Sequence, residues 1–210
     1  IMSRLHNSGQ VCTSSKRFIV DSKVYDQFRD KILEKLPQQK LGDPTKEDTT
    51  MGPLARQDLL DNIDRQVQEA VQQGAKLLYG GKRPRDAELK NGLFYEPTLC
   101  EIDRNNLLAK EETFGPVFAL IRVNGEQEAI EVANDTEYGL GCAIMSEYVE
   151  RARNVGREVE RGLLLISSMM MVDPRLAFGE VKGSGFGSEC DGEYGIHETS
   201  ELWLLNNFDK

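Results

Sequence analysis

The chain has 210 residues, of which 39% are hydrophobic and 29% charged, and its formal net charge is −9. This length is enough for one well-buried core, in one large domain or two small ones, and the composition argues against disorder. The acidic balance leaves no basic patch to neutralise phosphates, which excludes nucleic acid as a partner. We therefore expect a soluble, cytoplasmic protein.

The sequence also argues against membrane insertion and zinc binding, and a chain of this length needs no disulfide framework. No segment approaches the ~20 apolar residues of a membrane span, and residues 1–10 lack the apolar centre of a secretory signal. The four cysteines form no Cys-x-x-Cys pair, and only two histidines accompany them. Most of these thiols, Cys100 and Cys142 above all, are interpreted as small core residues in a reducing compartment.

The first elements alternate between strand and helix. Residues 16–22 (KRFIVDS) are rich in β-branched and aromatic side chains, which predicts a strand. Residues 23–36 repeat an apolar side chain at every fourth position, which predicts an amphipathic helix. The predicted buried stripe of this helix is Val24, Phe28, Ile32 and Leu36. The polar segment 41–55, with its Gly-Asp-Pro and Gly-Pro steps, predicts a long surface loop.

A second amphipathic helix is predicted over residues 55–74, with Gly74 as its C-terminal cap. Its predicted buried stripe is Leu59, Ile63, Val67 and Val71. Residues 75–81 predict a strand and a turn. Residues 95–102 predict an extended piece in which Pro97 favours an edge strand or the start of a strand.

The next elements repeat the alternation. Strands are predicted over 117–123 (VFALIRV), 140–146 (LGCAIMS) and 163–167 (LLLIS), and helices over 125–139, ending near Asn134, and over 147–162. The strand segments are almost continuously apolar, as strands covered on both faces are. The sequence therefore predicts an α/β fold with a doubly wound, mainly parallel sheet covered by helices.

The last part of the sequence has a different character. Residues 178–195 hold six glycines and predict an extended, tightly turned segment rather than a helix. Their G-x-G-x-G spacing fits neither a dinucleotide fingerprint nor a phosphate loop. Residues 202–208 (LWLLNNF) predict a terminal apolar strand, which either forms an edge of this chain's own sheet or is donated to a partner subunit.

Cys12 is the one cysteine whose surroundings suggest chemistry. Gly9 allows a sharp bend just before it, and small polar residues follow, so the thiol can sit on a turn close to backbone N–H donors. Such donors would stabilise a thiolate or a developing oxyanion. The residues by themselves leave two readings open, a nucleophile and a small buried side chain.

Four motifs, in order, resemble those of the aldehyde dehydrogenase superfamily, and together they span essentially the whole chain. They are NSGQVC (7–12), KEETFGPV (110–117), ANDTEYGLG (133–141) and FGEVKGSGFGSE (178–189). The sequence around the first motif is most similar to the succinate-semialdehyde dehydrogenase branch. The resemblance implies an NAD- or NADP-dependent oxidation of an aldehyde to a carboxylic acid, through a cysteine thiohemiacetal and thioester.

The resemblance also implies roles for individual residues. Cys12 matches the nucleophile, Glu112 the carboxylate that binds the nicotinamide-side ribose, and Phe114 the aromatic beside the nicotinamide ring. Glu111 should point away from Glu112, because neighbouring side chains of an extended chain alternate. Arg175 is a candidate partner for a substrate carboxylate, although a surface ion pair explains it equally well.

The resemblance further implies a domain organisation. Residues 1–197 match most of the catalytic, cysteine-bearing domain, and residues 198–210 match an oligomerisation strand of a homodimer or homotetramer. The dinucleotide-binding domain, the general-base glutamate and an oxyanion-hole asparagine lie upstream of the cysteine in the family. We therefore expect a C-terminal portion that by itself neither binds NAD or NADP tightly nor completes the dehydrogenase cycle.

Three positions depart from the family pattern, and two of them, Glu180 and Ser188, together with the missing domain motivate the first of two alternatives. Glu180 stands where the family has glycine, Ser188 where it has arginine, and Ser167 where asparagine is common. One alternative is a truncated, non-catalytic piece that oligomerises or regulates. Another is a cysteine hydrolase that accepts acyl groups without a cofactor.

Overall fold

The structure is a computed structural model that describes residues 1–189 and 195–196. The chain divides into two units, Ile1–Thr136 and a second that begins at Glu137. Among the described residues, no helix has the length and apolar character needed to cross a membrane.

The first unit is built on one four-stranded sheet. Its strands are β1 (Arg17–Asp21), β2 (Lys76–Tyr79), β3 (Thr98–Glu101) and β4 (Val117–Val123). Their order is β1-β4-β3-β2; β1 and β3 run parallel to β4, and β2 is an antiparallel edge strand. The predicted mainly parallel sheet is confirmed. Pro97 directly precedes β3, so it marks a strand start, and the edge alternative is wrong because β3 is an inner strand.

Five helices belong to the same unit. They are α1 (Met2–Leu5), α2 (Ser22–Lys35), α3 (Gln57–Gln72), α4 (Leu107–Lys110) and α5 (Glu126–Asn134). Short 3-10 turns cover His6–Gly9 and Leu36–Gln38. Asp21 caps α2 by accepting a hydrogen bond from the Lys23 amide, and Gly74, at φ +98°, ends α3 as predicted.

Helices cover both faces of the sheet, as a doubly wound fold requires. Val117, Ala119 and Ile121 of β4 share a core cluster with side chains of α3 and α5. Phe118 and Leu120, which point the other way, join the cluster that contains the side chains of α2. The alternation of neighbouring side chains along β4 thus supplies both cores.

The predicted stripes of the two long helices are partly wrong. In α2, Tyr25 is fully buried while Val24 is 51% exposed. In α3, Leu60 and Ala70 are buried, Leu59 is half-buried and Val71 is exposed. A strict four-residue repeat drifts by about 40° at each step around a helix of 3.6 residues per turn. Its members therefore cannot all face the sheet, and an adjacent position takes over.

The described part of the second unit contains short paired strands and the helix α6. Strand β5 (Tyr138–Gly139) pairs antiparallel with β9 (Val181–Lys182), β6 (Gly141–Ile144) pairs parallel with β7 (Leu163–Ile166), and β8 (Phe178–Gly179) pairs antiparallel with β10 (Ser188–Glu189). Helix α6 covers Val149–Glu158.

Most sequence predictions for the second unit are confirmed. Helix α6 and strands β6 and β7 lie where the sequence placed them, and residues 178–189 are extended and turned rather than helical. The prediction that β7 is a buried strand is wrong, because all four of its residues are only half-buried. The predicted terminal strand over 198–210 lies outside the described residues.

Candidate active site

Two segments that are a hundred residues apart in sequence meet because each leads into one of two neighbouring strands. The cysteine loop (residues 6–16) enters β1, and the carboxylate segment (residues 111–116) enters β4. Since β1 and β4 are parallel, with Arg17 opposite Ala119, both segments lie at the same end of the sheet.

The cysteine loop turns sharply through three residues of positive φ, Asn7, Ser8 and Gly9, at 49°, 57° and 77°. A β-carbon on Gly9 would lie 2.2 Å from the carbonyl oxygen of Gly115, so only glycine permits this approach. The Gly115 amide donates a 3.2 Å hydrogen bond to the Gly9 carbonyl. The predicted bend is confirmed, and it brings the loop against the carboxylate segment.

Cys12 lies on a turn of this loop with its side chain exposed. The turn is closed by the Ser14 amide, which donates to the Val11 carbonyl at 3.0 Å. Side chains before the cysteine tie the loop to the segment that precedes α3: Ser8 Oγ donates to the Gly52 carbonyl at 2.8 Å, and Gln10 Oε1 accepts from the Ala55 amide at 2.8 Å. The thiol is therefore presented to solvent from an anchored turn.

The two neighbouring carboxylates point in different directions, as predicted. Glu111 Oε2 accepts hydrogen bonds from Gln66 Nε2 at 3.0 Å and from Arg65 Nη2 at 3.1 Å, both on α3. The hydrogen bond from Gln66 is the largest cause that lowers the pKa of Glu111. Glu112 instead faces the cysteine loop. Of the two, only Glu112 is directed towards the cysteine.

Lys16 joins the residues that the sequence singled out. Its Nζ lies 2.9 Å from the carbonyl oxygen of Cys12, 3.1 Å from Glu112 Oε1 and 5.1 Å from the ring centroid of Phe114. Burial lowers the pKa of Lys16, and the carboxylate of Glu112 opposes that shift. The motifs did not identify this lysine. The sequence feature that could have identified it is its position four residues after Cys12.

Arg4 is a second buried cation that sequence reasoning missed. Its Nη2 donates to the carbonyls of Thr113, at 2.7 Å, and Gly115, while Nη1 lies 3.5 Å from the Ser14 and Ser15 carbonyls. The side chain is fully buried, and burial lowers the pKa of Arg4 to about 9 against the opposing charge of Glu112. Arg4 thus fastens the carboxylate segment to the cysteine loop.

An open cavity of about 900 Å³ borders these segments. Asn7 and Gln10 of the cysteine loop and Phe114 line it, together with residues 53–56, 59 and 92–94. The Phe114 ring is half-buried, and the Glu112 side chain keeps a third of its surface exposed. Phe114 lines the cavity and Glu112, two residues before it, does not; an aromatic face and a partly exposed carboxylate are the groups that could contact the ring and the ribose hydroxyls of a nicotinamide nucleotide.

Arg175 belongs to the second unit, where its side chain is 84% exposed. Its Nε and Nη2 donate to the carboxylate of Asp173 at 2.9 and 2.6 Å, and these bonds lower the pKa of Asp173 to about 2. The surface ion pair that the sequence left open is therefore present, and a role in binding substrate stays a prediction.

Two of the departures from the family pattern have structural consequences. Ser167 has a φ of +53°, a conformation that asparagine adopts more readily than serine. The carboxylate of Glu180 lies over Gly185, where a β-carbon would come within 2.2 Å of its Oε2. Glycine at 185 leaves room for the larger residue at 180.

Comparison with known proteins agrees with this geometry. The chain matches the aldehyde dehydrogenase family over residues 1–203. It is 37% identical to the succinate semialdehyde dehydrogenase (NAD(P)+) Sad of Escherichia coli over 199 residues, which are 94% of this chain and 42% of that protein. It is 42% identical over 194 residues to the succinate-semialdehyde dehydrogenase (NADP(+)) of Mycobacterium avium, covering 91% of this chain and 40% of that protein.

Solved structures give the same result. The betaine aldehyde dehydrogenase of Staphylococcus aureus, determined in complex with NAD+, superposes with a TM-score of 0.90 at 32% identity, covering 99% of this chain and 43% of the other. The chain belongs to the aldehyde dehydrogenase family. It spans about two fifths of the length of the curated relatives that it matches.

Proposed function

We propose that this chain carries the nucleophile and part of the cofactor site of an NAD- or NADP-dependent aldehyde dehydrogenase. The observation that carries the proposal is that the backbone carbonyl of Cys12, the Glu112 carboxylate and the Phe114 ring all contact the single ammonium group of Lys16. Family membership supplies the reaction class.

Cys12 performs the covalent chemistry in this proposal. Its thiolate sulfur adds to the aldehyde carbonyl carbon, the C=O π bond breaks, and the former carbonyl oxygen carries the negative charge of the thiohemiacetal anion. NAD+ or NADP+, held by Glu112 and Phe114, would supply the hydride acceptor for oxidation of this adduct to a thioester. Water then attacks the thioester carbon, the carboxylic acid leaves, and the thiol is regenerated. Sulfur suits both steps because it attacks well and leaves well.

Glu112 and Phe114 hold the nicotinamide end of the cofactor in this proposal. The Glu112 carboxylate accepts hydrogen bonds from ribose hydroxyls, while the Phe114 ring packs beside the nicotinamide and excludes water from it. Oε2 of Glu112 remains for the hydroxyls when Oε1 pairs with Lys16. The rest of the cofactor would be bound by a dinucleotide-binding domain that we propose lies outside residues 1–197, the proposed catalytic portion.

Succinate semialdehyde is the proposed aldehyde. The relatives from Escherichia coli and Mycobacterium avium carry that name at 37% and 42% identity. Arg175 is the proposed partner of the substrate carboxylate, for which it would exchange its bond with Asp173. We also propose that residues 198–210 associate copies of the protein into a homo-oligomer and that the enzyme is cytoplasmic, in keeping with its charge of −9.

The test uses the complete product of the gene that encodes this chain. With succinate semialdehyde and NAD+ or NADP+, we expect turnover that falls about 10³-fold or more in Cys12→Ala, because the nucleophile is lost. Cys142→Ala, which removes a half-buried thiol of the second unit, is the matched control and should stay active.

Turnover that survives in Cys12→Ala contradicts the proposed role of the cysteine. An inactive product that forms hetero-oligomers with an active relative supports the alternative of a non-catalytic, oligomerising chain. Hydrolysis of p-nitrophenyl acetate that depends on Cys12, without any dehydrogenase turnover, supports the cysteine hydrolase.

A further inference from the structure

The ammonium group of Lys16 has each of its three donors matched by an acceptor. The acceptors are the carbonyl oxygens of Cys12, at 2.9 Å, and Ser14, at 3.3 Å, and Glu112 Oε1 at 3.1 Å. An ammonium group has three N–H donors, so this set satisfies it. The side chain is 17% exposed, and its ring contact with Phe114 adds a fourth constraint. Such a group has little freedom to move.

The Lys16 charge lies where it affects the cysteine. The ammonium donates to the Cys12 carbonyl oxygen at 2.9 Å, so its positive charge lies directly beside the backbone of the residue that carries the thiol. Glu112 Oε1, 3.1 Å from that ammonium, brings a negative charge beside it. The opposite charges of Lys16 and Glu112 therefore shift the electrostatic potential at the thiol in opposite directions, and removing either charge changes that potential.

We propose that Lys16 is a positioning residue that holds Glu112 against the cysteine loop and sets the electrostatic potential at Cys12. The inference rests on the proposed function, in which Cys12 is the nucleophile and Glu112 a cofactor ligand. It adds that one side chain, which touches the backbone of the first and the carboxylate of the second, couples the two parts of the site.

The potential at the thiol can be measured without aldehyde or cofactor. Iodoacetate and iodoacetamide alkylate thiolates by the same displacement of iodide, but only iodoacetate carries a negative charge. The ratio of their rate constants at Cys12 therefore reports the local charge, while a general loosening of the loop changes both rates together. The experiment uses the 210-residue chain, with the modified cysteine located by peptide mass spectrometry.

We expect the iodoacetate-to-iodoacetamide ratio to fall about fivefold in Lys16→Met. The reason is that a carboxylate of iodoacetate about 4 Å from an ammonium group in water is stabilised by about 1 kcal/mol, which is about fivefold in rate. Lys16→Arg keeps the positive charge, so the ratio should stay within about twofold of wild type. The small change reflects the guanidinium, which cannot present three donors from one atom. In Glu112→Gln the ratio should rise. About 1 M salt should remove most of these differences.

Lys31→Met is the matched control, because it removes the same charge from an exposed site on α2. Its ratio should equal that of the wild type. An unchanged ratio in a folded Lys16→Met variant overturns the proposal. If circular dichroism shows that Lys16→Met does not fold, Glu112→Gln decides: a raised ratio supports the proposal and an unchanged one overturns it.

The proposed dehydrogenase function and the proposed role of Lys16 can be contradicted independently of each other. Absence of dehydrogenase turnover leaves the alkylation ratio as evidence for the role of Lys16. An unchanged ratio, conversely, leaves Cys12 free to be the nucleophile.

Discussion

The strands β4 (VFALIRV) and β7 (LLLI) are both apolar apart from Arg122 of β4, but their surroundings are very different. In the first unit, β4 is buried at every position except Arg122, because α2 covers one face of the sheet and α3 and α5 cover the other. In the second unit, all four residues of β7 are half-buried. Helix α6 lies against β7 at Gly156, where a β-carbon would come within 2.4 Å of Leu164 Cδ2.

This difference shows what a continuous apolar run does and does not predict. It predicts a strand in both units, because apolar and β-branched side chains suit a pleated surface. The extent of burial depends on which other elements cover the strand, and those elements are distant in sequence. The candidate active site lies on the well-covered unit, so its two loops start from strands that are fixed on both faces.

Matched leucine truncations test the comparison most directly. Leu120→Ala in β4 removes a side chain with 0% exposure, so we expect a loss of about 3–4 kcal/mol from the free energy of unfolding. Leu164→Ala in β7 removes a half-buried one and should cost about 1–2 kcal/mol. Urea unfolding followed by circular dichroism gives both values. Equal losses would mean that β7 is as well covered as β4.

The elements of the fold were largely predictable from the sequence, whereas the faces of its helices were not. The periodicity located α2 and α3, but Tyr25 and Ala70 are buried where Val24 and Val71 were expected. A tyrosine is amphipathic, and its burial depends on a partner for its hydroxyl. That partner is Glu101 of β3, at 3.0 Å and 76 residues away. No local pattern contains this information.

The candidate site shows the same limit. The motif resemblance named Cys12, Glu112 and Phe114, and the structure brings these three together around Lys16. Neither Lys16 nor Arg4 was named, because a lysine or arginine in a sequence is usually exposed and only the fold shows which carbonyls surround it. Buried cations of this kind are found from three-dimensional packing.

Two arginines, one in each unit, extend the comparison to charged groups. Arg4→Met should lower the free energy of unfolding by about 2–4 kcal/mol, since the carbonyls of Thr113 and Gly115 lose their buried donor. Arg175→Met is the control, and it should not change stability measurably, because its bond with Asp173 is exposed to solvent. Urea unfolding at pH 7 measures both. An Arg4→Met variant as stable as wild type would show that water reaches those carbonyls.

The smallest predicted effect concerns Cys100, whose thiol lies on β3 in the core cluster that contains side chains of α3 and α5. Burial raises its pKa from the ordinary value of 9.0 to about 12. Between these two values the folded state keeps the proton that the unfolded state loses, so the folded state binds more protons and stability falls as pH rises. At pH 10, one unit above the unfolded pKa, the loss is about 1.4 kcal/mol.

Other groups also titrate in this range, so the measurement is the difference in the free energy of unfolding between wild type and Cys100→Ala. The thiol belongs to the core cluster that also contains Ile63, Val67, Tyr95 and Val117, so truncation to alanine removes its titration and leaves a small cavity. The wild-type advantage at pH 8 should shrink by about 1.4 kcal/mol at pH 10. A difference that does not change with pH would mean that the thiolate is solvated inside the folded chain. The core of the first unit would then exclude water no better than the core of the second, and the difference in burial between β4 and β7 would reflect local packing alone.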